Sequence, residues 1–274
     1  MLRLTGKFPS RKLLFILSPL FIWHARLAAS TITKVPDLPD QLQALVEDAQ
    51  YAAALEKMKQ SLSQKSPPPQ DIAPLAYYWA GIAASRLSEF DQAVPFFKQA
   101  MPVAASIPAI YYEIGQALYA MQDLRAARKQ FELAKLYGYK TQASLYYIGY
   151  TSLVLEEEDA ARRSFLTIIR SNDDTDTVLQ PAMMTLAKME FDIAQKLSSA
   201  RKRNQAIRET VIPLFQKTID YNPDDELSQE AKPLLTKALQ LIGELKEYPQ
   251  FTNGVPLDPT SLSLVANATV GYDS

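Results

Sequence analysis

The chain has 274 residues, 29 of them basic and 30 acidic, with eight glycines, no cysteine and a single histidine, His24. Lack of cysteine excludes thiol nucleophiles, thiolate metal sites and disulfides; His24 lies in a segment read below as removed, so imidazole bases and ligands go too. Three of the glycines belong to a repeat, leaving no cluster for a phosphate-cradling loop.

At the N-terminus, Arg3, Lys7, Arg11 and Lys12 precede an apolar run from Leu13 to Trp23, and Ala28, Ala29 and Ser30 follow. That order predicts a secretory signal peptide over residues 1–29. The run falls short of the roughly 18 residues a spanning helix needs, so cleavage near Ala29 or Ser30 is expected rather than anchoring. Cleavage removes five of the 29 basic residues and leaves 24 against 30 acidic ones. An acidic exported chain is a poor binder of nucleic acid or anionic lipid by bulk charge. The expected location is the periplasm or outer membrane of a Gram-negative bacterium.

Residues 36–248 are expected to form a helical array. Tyr51, Ala54, Met58 and Ser61 carry the spacing of a second helix, after which Pro67, Pro68 and Pro69 insert a few residues. A strict period then sets in over 74–107, 108–141 and 142–175. Gly81, Gly115 and Gly149 stand 34 residues apart, each followed after twelve residues by Ala93, Ala127 or Ala161 and after sixteen by Phe97, Phe131 or Phe165. Two antiparallel helices of about fourteen residues plus two turns use that length, and neither helix buries its apolar stripe without a neighbouring pair. Glycine and alanine let the two backbones approach, while phenylalanine fills the space toward the next pair.

The next unit is longer: Val211 and Phe215 repeat the second-helix pattern 16 residues later than the period requires. One helix near 178–200 and a partner near 205–221 account for the excess. Val211-Ile212-Pro213-Leu214-Phe215 echoes Ala93-Val94-Pro95-Phe96-Phe97, with interior prolines expected to bend the helix. An amphipathic segment near 225–248, containing Pro233, suits a helix that caps the open end. Beyond it lie a linker and a possible β-strand over 249–274, where Leu262, Leu264, Ala266, Ala268, Val270 and Tyr272 alternate with Ser263, Val265, Asn267, Thr269 and Gly271 as in one strand of an outer-membrane barrel.

The period, with Gly81, Ala93, Phe97 and their equivalents, resembles the tetratricopeptide repeat. Departures are Leu145 where an aromatic is usual, Ile168 where alanine is usual, and a missing terminal proline. The resemblance implies an all-α, right-handed superhelix of helix hairpins whose first helices line a concave groove. Positions 5, 9 and 12 of each unit commonly face it: Tyr78, Ile82 and Ser85; Tyr112, Gln116 and Tyr119; Tyr146, Tyr150 and Leu153. The lysine–asparagine clamp with which some members grip acidic C-termini is missing there. Helical repeats followed by Val270-Gly271-Tyr272-Asp273-Ser274 resemble the junction in envelope proteins that join such repeats to a barrel.

Other clusters have structural readings. Glu156-Glu157-Glu158-Asp159 opens a helix, where negative charge suits the dipole. Asn172-Asp173-Asp174-Thr175-Asp176 lacks the glycine and distal glutamate of a calcium loop and reads as a turn. Arg201-Lys202-Arg203 is too short for a nucleic-acid footprint. The expected function is therefore a non-enzymatic exported scaffold, with no cofactor or metal, binding a protein, extended peptide or glycan in a tyrosine-lined groove. The alternative is the periplasmic part of an outer-membrane export or assembly channel, with the C-terminal tail associated with the outer membrane.

Overall fold

The computed structural model describes residues 37–63, 73–244, 251–252 and 255–256. The signal peptide and the alternating Leu262–Tyr272 stretch lie outside the described residues. Helices α1 (Leu38–Glu47) and α2 (Tyr51–Ser63) form a first hairpin. Three regular hairpins follow: α3 (Ala73–Arg86) with α4 (Phe90–Ala100), α5 (Ala109–Ala120) with α6 (Leu124–Leu136), and α7 (Thr141–Val154) with α8 (Glu158–Ser171). Each second helix also packs on the first helix of the next pair, so the described helices form an all-α array of stacked hairpins.

Glycine is required at three places by contact with a ring. A Cβ on Gly81, Gly115 or Gly149 would come within 2.6, 2.8 or 2.9 Å of the Phe97, Phe131 or Phe165 side chain. Those phenylalanines are wholly buried, as are Ala93, Ala127 and Ala161. The ring thus lies over the glycine of its own hairpin, and burial of each phenylalanine contributes about 2–3 kcal/mol.

The turns inside the hairpins repeat as well. Ala49, Ser88, Gln122 and Glu156 all have left-handed φ, between 58° and 65°. The residue after each donates its N–H back five residues: Gln50 to the Leu45 carbonyl, Glu89 to Ala84, Asp123 to Leu118 and Glu157 to Ser152. This closure satisfies carbonyls left free by the first helix. Its presence at Ala49 makes the first hairpin the same kind of unit.

The fourth pair consists of α9 (Leu179–Gln195) and a longer partner. That partner begins as α10 (Ala200–Ala206), passes through a π turn at Ile207–Val211 and continues as α11 (Ile212–Tyr221). The excess length is shared: the second helix starts at Ala200 rather than near 205, α9 is 17 residues against 14 in α7 but ends at Gln195 rather than near 200, and the connection before α9 is longer. In a regular α-helix the Pro213 ring would press on the Glu209 carbonyl; the wider π turn lies just ahead of it. Pro95 sits within α4 on an exposed face, where the missing N–H leaves its acceptor to water.

The last helix, α12 (Glu226–Leu241), packs on α9 and α11. A buried polar clasp fixes it: Gln180 Nε2 donates to the Thr218 carbonyl at 3.1 Å and to Asp225 Oδ1 at 3.0 Å. Ser228 Oγ donates to the Asn222 carbonyl at 2.5 Å. Two short strands, β1 (Phe251–Thr252) and β2 (Val255–Pro256), pair antiparallel, Phe251 opposite Pro256. The intervening Asn253-Gly254 is a strong sequence signal for a hairpin. Among the described residues no helix is long and apolar enough to cross a membrane.

Candidate functional site

The tyrosine at position 5 of each regular unit has the same partner. Tyr78, Tyr112 and Tyr146 pack on Phe97, Phe131 and Phe165 of their own hairpins, with ring centroids 6.4, 5.6 and 5.8 Å apart. The pair spans nineteen residues because it joins the middle of the first helix to the middle of the second. Glycine, phenylalanine and tyrosine therefore form one repeated stack.

Neighbouring stacks are joined by tyrosines from the next hairpin. Tyr147 lies flat on Phe131, 4.6 Å away with the planes 9° apart, and meets Tyr112 and Tyr119 edge-on at 6.1 and 5.5 Å. Tyr119 also meets Tyr150 edge-on, and Tyr139, from the preceding loop, meets Tyr112. Tyr146 Oη lies 3.5 Å from Thr185 Oγ1 on α9. The result is a connected aromatic ribbon across α5 and α7, which Thr185 of α9 touches through the Tyr146 hydroxyl.

Two of the nine groove residues expected from sequence are corrected to core positions. Ile82 is 6 % exposed and Tyr112 only 4 %. Tyr112 is covered because Tyr139 and Tyr147 close over it and Lys140 Nζ stands 5.0 Å from its ring centroid. Tyr78, Ser85, Gln116, Tyr119, Tyr146, Tyr150 and Leu153 are half-buried. Gln116 Nε2 donates to Tyr112 Oη at 3.2 Å, bringing an amide into the ribbon.

Burial governs the chemistry of these phenols. Desolvation disfavours phenolate and pushes Tyr146 and Tyr139 up to about 12. Tyr78, Tyr112 and Tyr119 are raised further, first by burial and then by neighbouring negative or phenolic groups, including Glu113 for Tyr78 and Tyr112. All remain neutral hydroxyls at physiological pH. They can donate and accept hydrogen bonds without carrying charge.

The nearby charges are occupied. Glu113, nearly buried, pairs with Arg86 at 3.4 Å. In the acidic turn, Asp176 Oδ2 accepts the N–H groups of Gln142 and Ala143, both at 3.0 Å, capping α7 from a loop beyond α8. Asp174 Oδ1 accepts from Leu179 N–H at 2.8 Å, and Asp173 Oδ1 from Thr175 N–H at 3.1 Å. Asp176 and Asp174 thus close the starts of α7 and α9, and Asp173 closes the turn between α8 and α9. Among the described residues no His, Cys, Asp or Glu cluster could hold a metal ion.

Ion pairs join hairpins along the second helices. Arg128 reaches Ser152 and Glu157, and its counterpart Arg162 reaches Glu190 at 2.5 Å and Asp159 at 2.8 Å. A surface cavity of about 390 Å³ opens beside Arg162, over Leu166, Leu186 and Leu214. It does not touch the aromatic ribbon.

Comparison with known proteins finds no matching family and no matching curated relative. Solved structures do align. One is described as MamA, at 14% identity, covering 75% of this chain and 95% of the other with a TM-score of 0.43. Another is YrrB, described as a TPR protein with an unusual peptide-binding site, at 17% identity, coverage of 70% and 91%, and a TM-score of 0.41. A third is a TPR repeats protein from Bacteroides fragilis, at 13% identity, coverage of 74% and 99%, and a TM-score of 0.40.

Proposed function

We propose that this chain is a non-enzymatic, exported interaction scaffold that holds an extended segment of a partner against its tyrosine-bearing first helices. The observation that carries this reading is the continuous ribbon of neutral, mutually buttressed tyrosines from Tyr112 through Tyr147 and Tyr119 to Tyr150 and Tyr146. Rings already fixed by their neighbours lose little freedom when a ligand settles on them, which favours binding. Tyrosine also presents an apolar body and a polar tip, a combination common at recognition surfaces. The acids nearby are committed to Arg86 and to helix caps, which gives a carboxylate-driven reaction no support. Export rests on the basic-then-apolar order of residues 3–23.

The test is capture from an envelope extract by the full chain and by a Tyr119→Ala/Tyr150→Ala variant, with partners identified by mass spectrometry. The proposal expects the variant to lose the main partner while it keeps the parent's helical content and a single cooperative melt, lowered by the lost ring contacts. An unchanged partner list refutes the groove.

The channel reading has its own support in the alternation of Leu262–Tyr272. It places the array on the periplasmic side of a barrel. Sequencing past codon 274 decides it: further alternating segments of about ten residues are expected, and an immediate stop codon contradicts it.

A further inference from the structure

The surface cavity beside Arg162 stands apart from the tyrosine ribbon. Two consecutive second helices form its sides, and the first helix between them forms its floor: α8 gives Arg162 and Leu166, α9 gives Leu186 and Glu190, and the second helix of the fourth pair gives the stretch from Glu209 to Lys217 through Thr210, Pro213 and Leu214. Residues four apart share a face of a helix. The centre of the cleft is therefore apolar and its ends are charged.

The groove one hairpin earlier lacks this lining. Glu132 precedes Leu166 by one repeat of 34 residues, and Ser164 precedes Leu214 by the longer step of 50 that also separates Phe165 from Phe215. Arg128 also reaches across that groove to Ser152 and Glu157. Glu209 and Thr210 belong to the π turn at Ile207–Val211, a distortion that recurs at functional sites. Leucines at an opening and a distorted wall thus coincide where the regular repeat gives way to the longer pair.

The two ends of the cleft differ in charge. Arg162 donates to both oxygens of Glu190, at 2.5 and 3.3 Å, and to Asp159 Oδ1 at 2.8 Å. Glu209 accepts the Gln205 amide at 3.2 Å and meets no cation among the described residues. Carboxylates therefore outnumber the guanidinium at this end. At the other end stands Lys217, exposed and without a partner among the described residues, Asp220 being engaged by the Gln216 amide at 2.8 Å. The Thr210 hydroxyl is unpartnered too.

We infer that this cleft is a second docking site, which holds an amphipathic helix of a partner protein by a leucine-type side chain flanked by a base and an acid. Charge complementarity selects the occupant. Glu209 and Lys217 are eight residues apart on one wall, about 12 Å along a helix, so the partner needs opposite charges at the same separation. A free amino acid is too short to reach both. A helix presents residues i, i+4 and i+8 on one face at that spacing. With its acid nearer its own N-terminus the helix also suits its own dipole, and it then runs antiparallel to α11. A cavity of about 390 Å³ accommodates an anchoring side chain rather than a whole helix, as in helix-in-groove recognition.

The test uses the full chain and fluorescein-labelled, alanine-rich helical peptides of about sixteen residues, read by anisotropy. One carries Glu, Leu and Lys at i, i+4 and i+8; two others carry Glu at both ends or Lys at both ends; a last one replaces Leu by Ser. The Glu-Leu-Lys peptide is expected to bind at least about fivefold more tightly than either like-charged peptide and about tenfold more tightly than the Ser peptide. Lys217→Glu is expected to turn the preference toward the peptide with two Lys. Thr210→Trp fills the mouth from an exposed position and is expected to weaken binding about tenfold. Tyr119→Ala/Tyr150→Ala is expected to leave it unchanged.

Binding of none of the peptides, equal binding of all charge patterns, or an unaltered preference in Lys217→Glu overturns the inference. So does parent-like affinity in Thr210→Trp. Binding lost in the double tyrosine variant but kept in Thr210→Trp puts the peptide on the ribbon, which rejects the cleft and leaves the scaffold reading standing.

Discussion

The three regular hairpins and the fourth pair solve the same packing problem with different parts. In α3–α8 a glycine admits a phenylalanine ring, and a tyrosine nineteen residues before that ring packs on it. α9 has neither glycine nor tyrosine. There Phe215 is just as buried but meets Phe191 edge-on at 6.2 Å. The seam of the fourth pair is filled instead by Met183, Met184, Leu186, Ile207 and Val211, with the Gln180 clasp holding α12 against it. Stacked pairs therefore require a filled seam, not a fixed residue set, and the residues repeated only in α3–α8 are the ones bearing the proposed site.

The largest expected effect probes the two seams directly. Phe131→Ala should cost about 3–5 kcal/mol, and Phe215→Ala less, since Phe131 supports Tyr112 and Tyr147 besides filling its own seam. Urea unfolding of both variants measures the difference. An equal cost would mean that the tyrosines add nothing to the regular stacks.

Alkaline titration is next. Tyr146 ionises near 10 when unfolded and near 12 when folded, because burial disfavours the phenolate. Between those values the unfolded state holds fewer protons, so stability, complete below about pH 10, declines as pH rises toward and through 12. Removal of one such phenol's contribution amounts to about 2–3 kcal/mol. Absorbance of phenolate should lag behind that of free tyrosine and then rise together with loss of helix. Ionisation of every tyrosine near pH 10 with the helices intact would contradict the packed ribbon.

Gly81→Ala sharpens the comparison further. Its new methyl would lie 2.6 Å from the Phe97 ring, which has no space to retreat, so overpacking of about 1–3 kcal/mol outweighs the gain of about 1 kcal/mol in helix propensity. No position in α9 imposes the same restriction through a glycine. A thermal melt of the variant above that of the parent would show that the ring can move.

The smallest effect lies in the hairpin turns. Ser88, Gln122 and Glu156 hold left-handed φ without being glycine, so each replacement by glycine should raise stability by about 0.5–1 kcal/mol. The fourth pair has no such turn to relax. Denaturant midpoints of the single variants test this, and a uniform fall would indicate that side-chain contacts at the turns outweigh backbone strain.

The sequence disclosed the array because Gly, Ala and Phe recur at fixed offsets, and each is used alike in every regular hairpin. It disclosed the position-5 tyrosines for the same reason. Tyr147 escaped notice since its equivalents are Trp79 and Glu113, leaving no period to see. The burial of Tyr112 depends on Tyr147, Tyr139 and Lys140, all from beyond its own hairpin. Asp176 caps α7 across 33 and 34 residues of chain, a pairing that local spacing does not encode. The π turn arises where Pro213 meets a helix extended upstream of it, a conflict apparent only once the helix length is known.

Equivalence of the hairpins is the premise of both the fold and the proposed site, and the cysteine-free chain allows it to be measured cleanly. Spin labels on Ser88→Cys, Gln122→Cys and Glu156→Cys, taken in pairs, report the steps between consecutive turns by dipolar broadening. The account predicts the same broadening for 88 with 122 as for 122 with 156, and weaker broadening for 88 with 156. Unequal consecutive steps, or a first-to-third separation no greater than a single step, would contradict a stack of equivalent pairs.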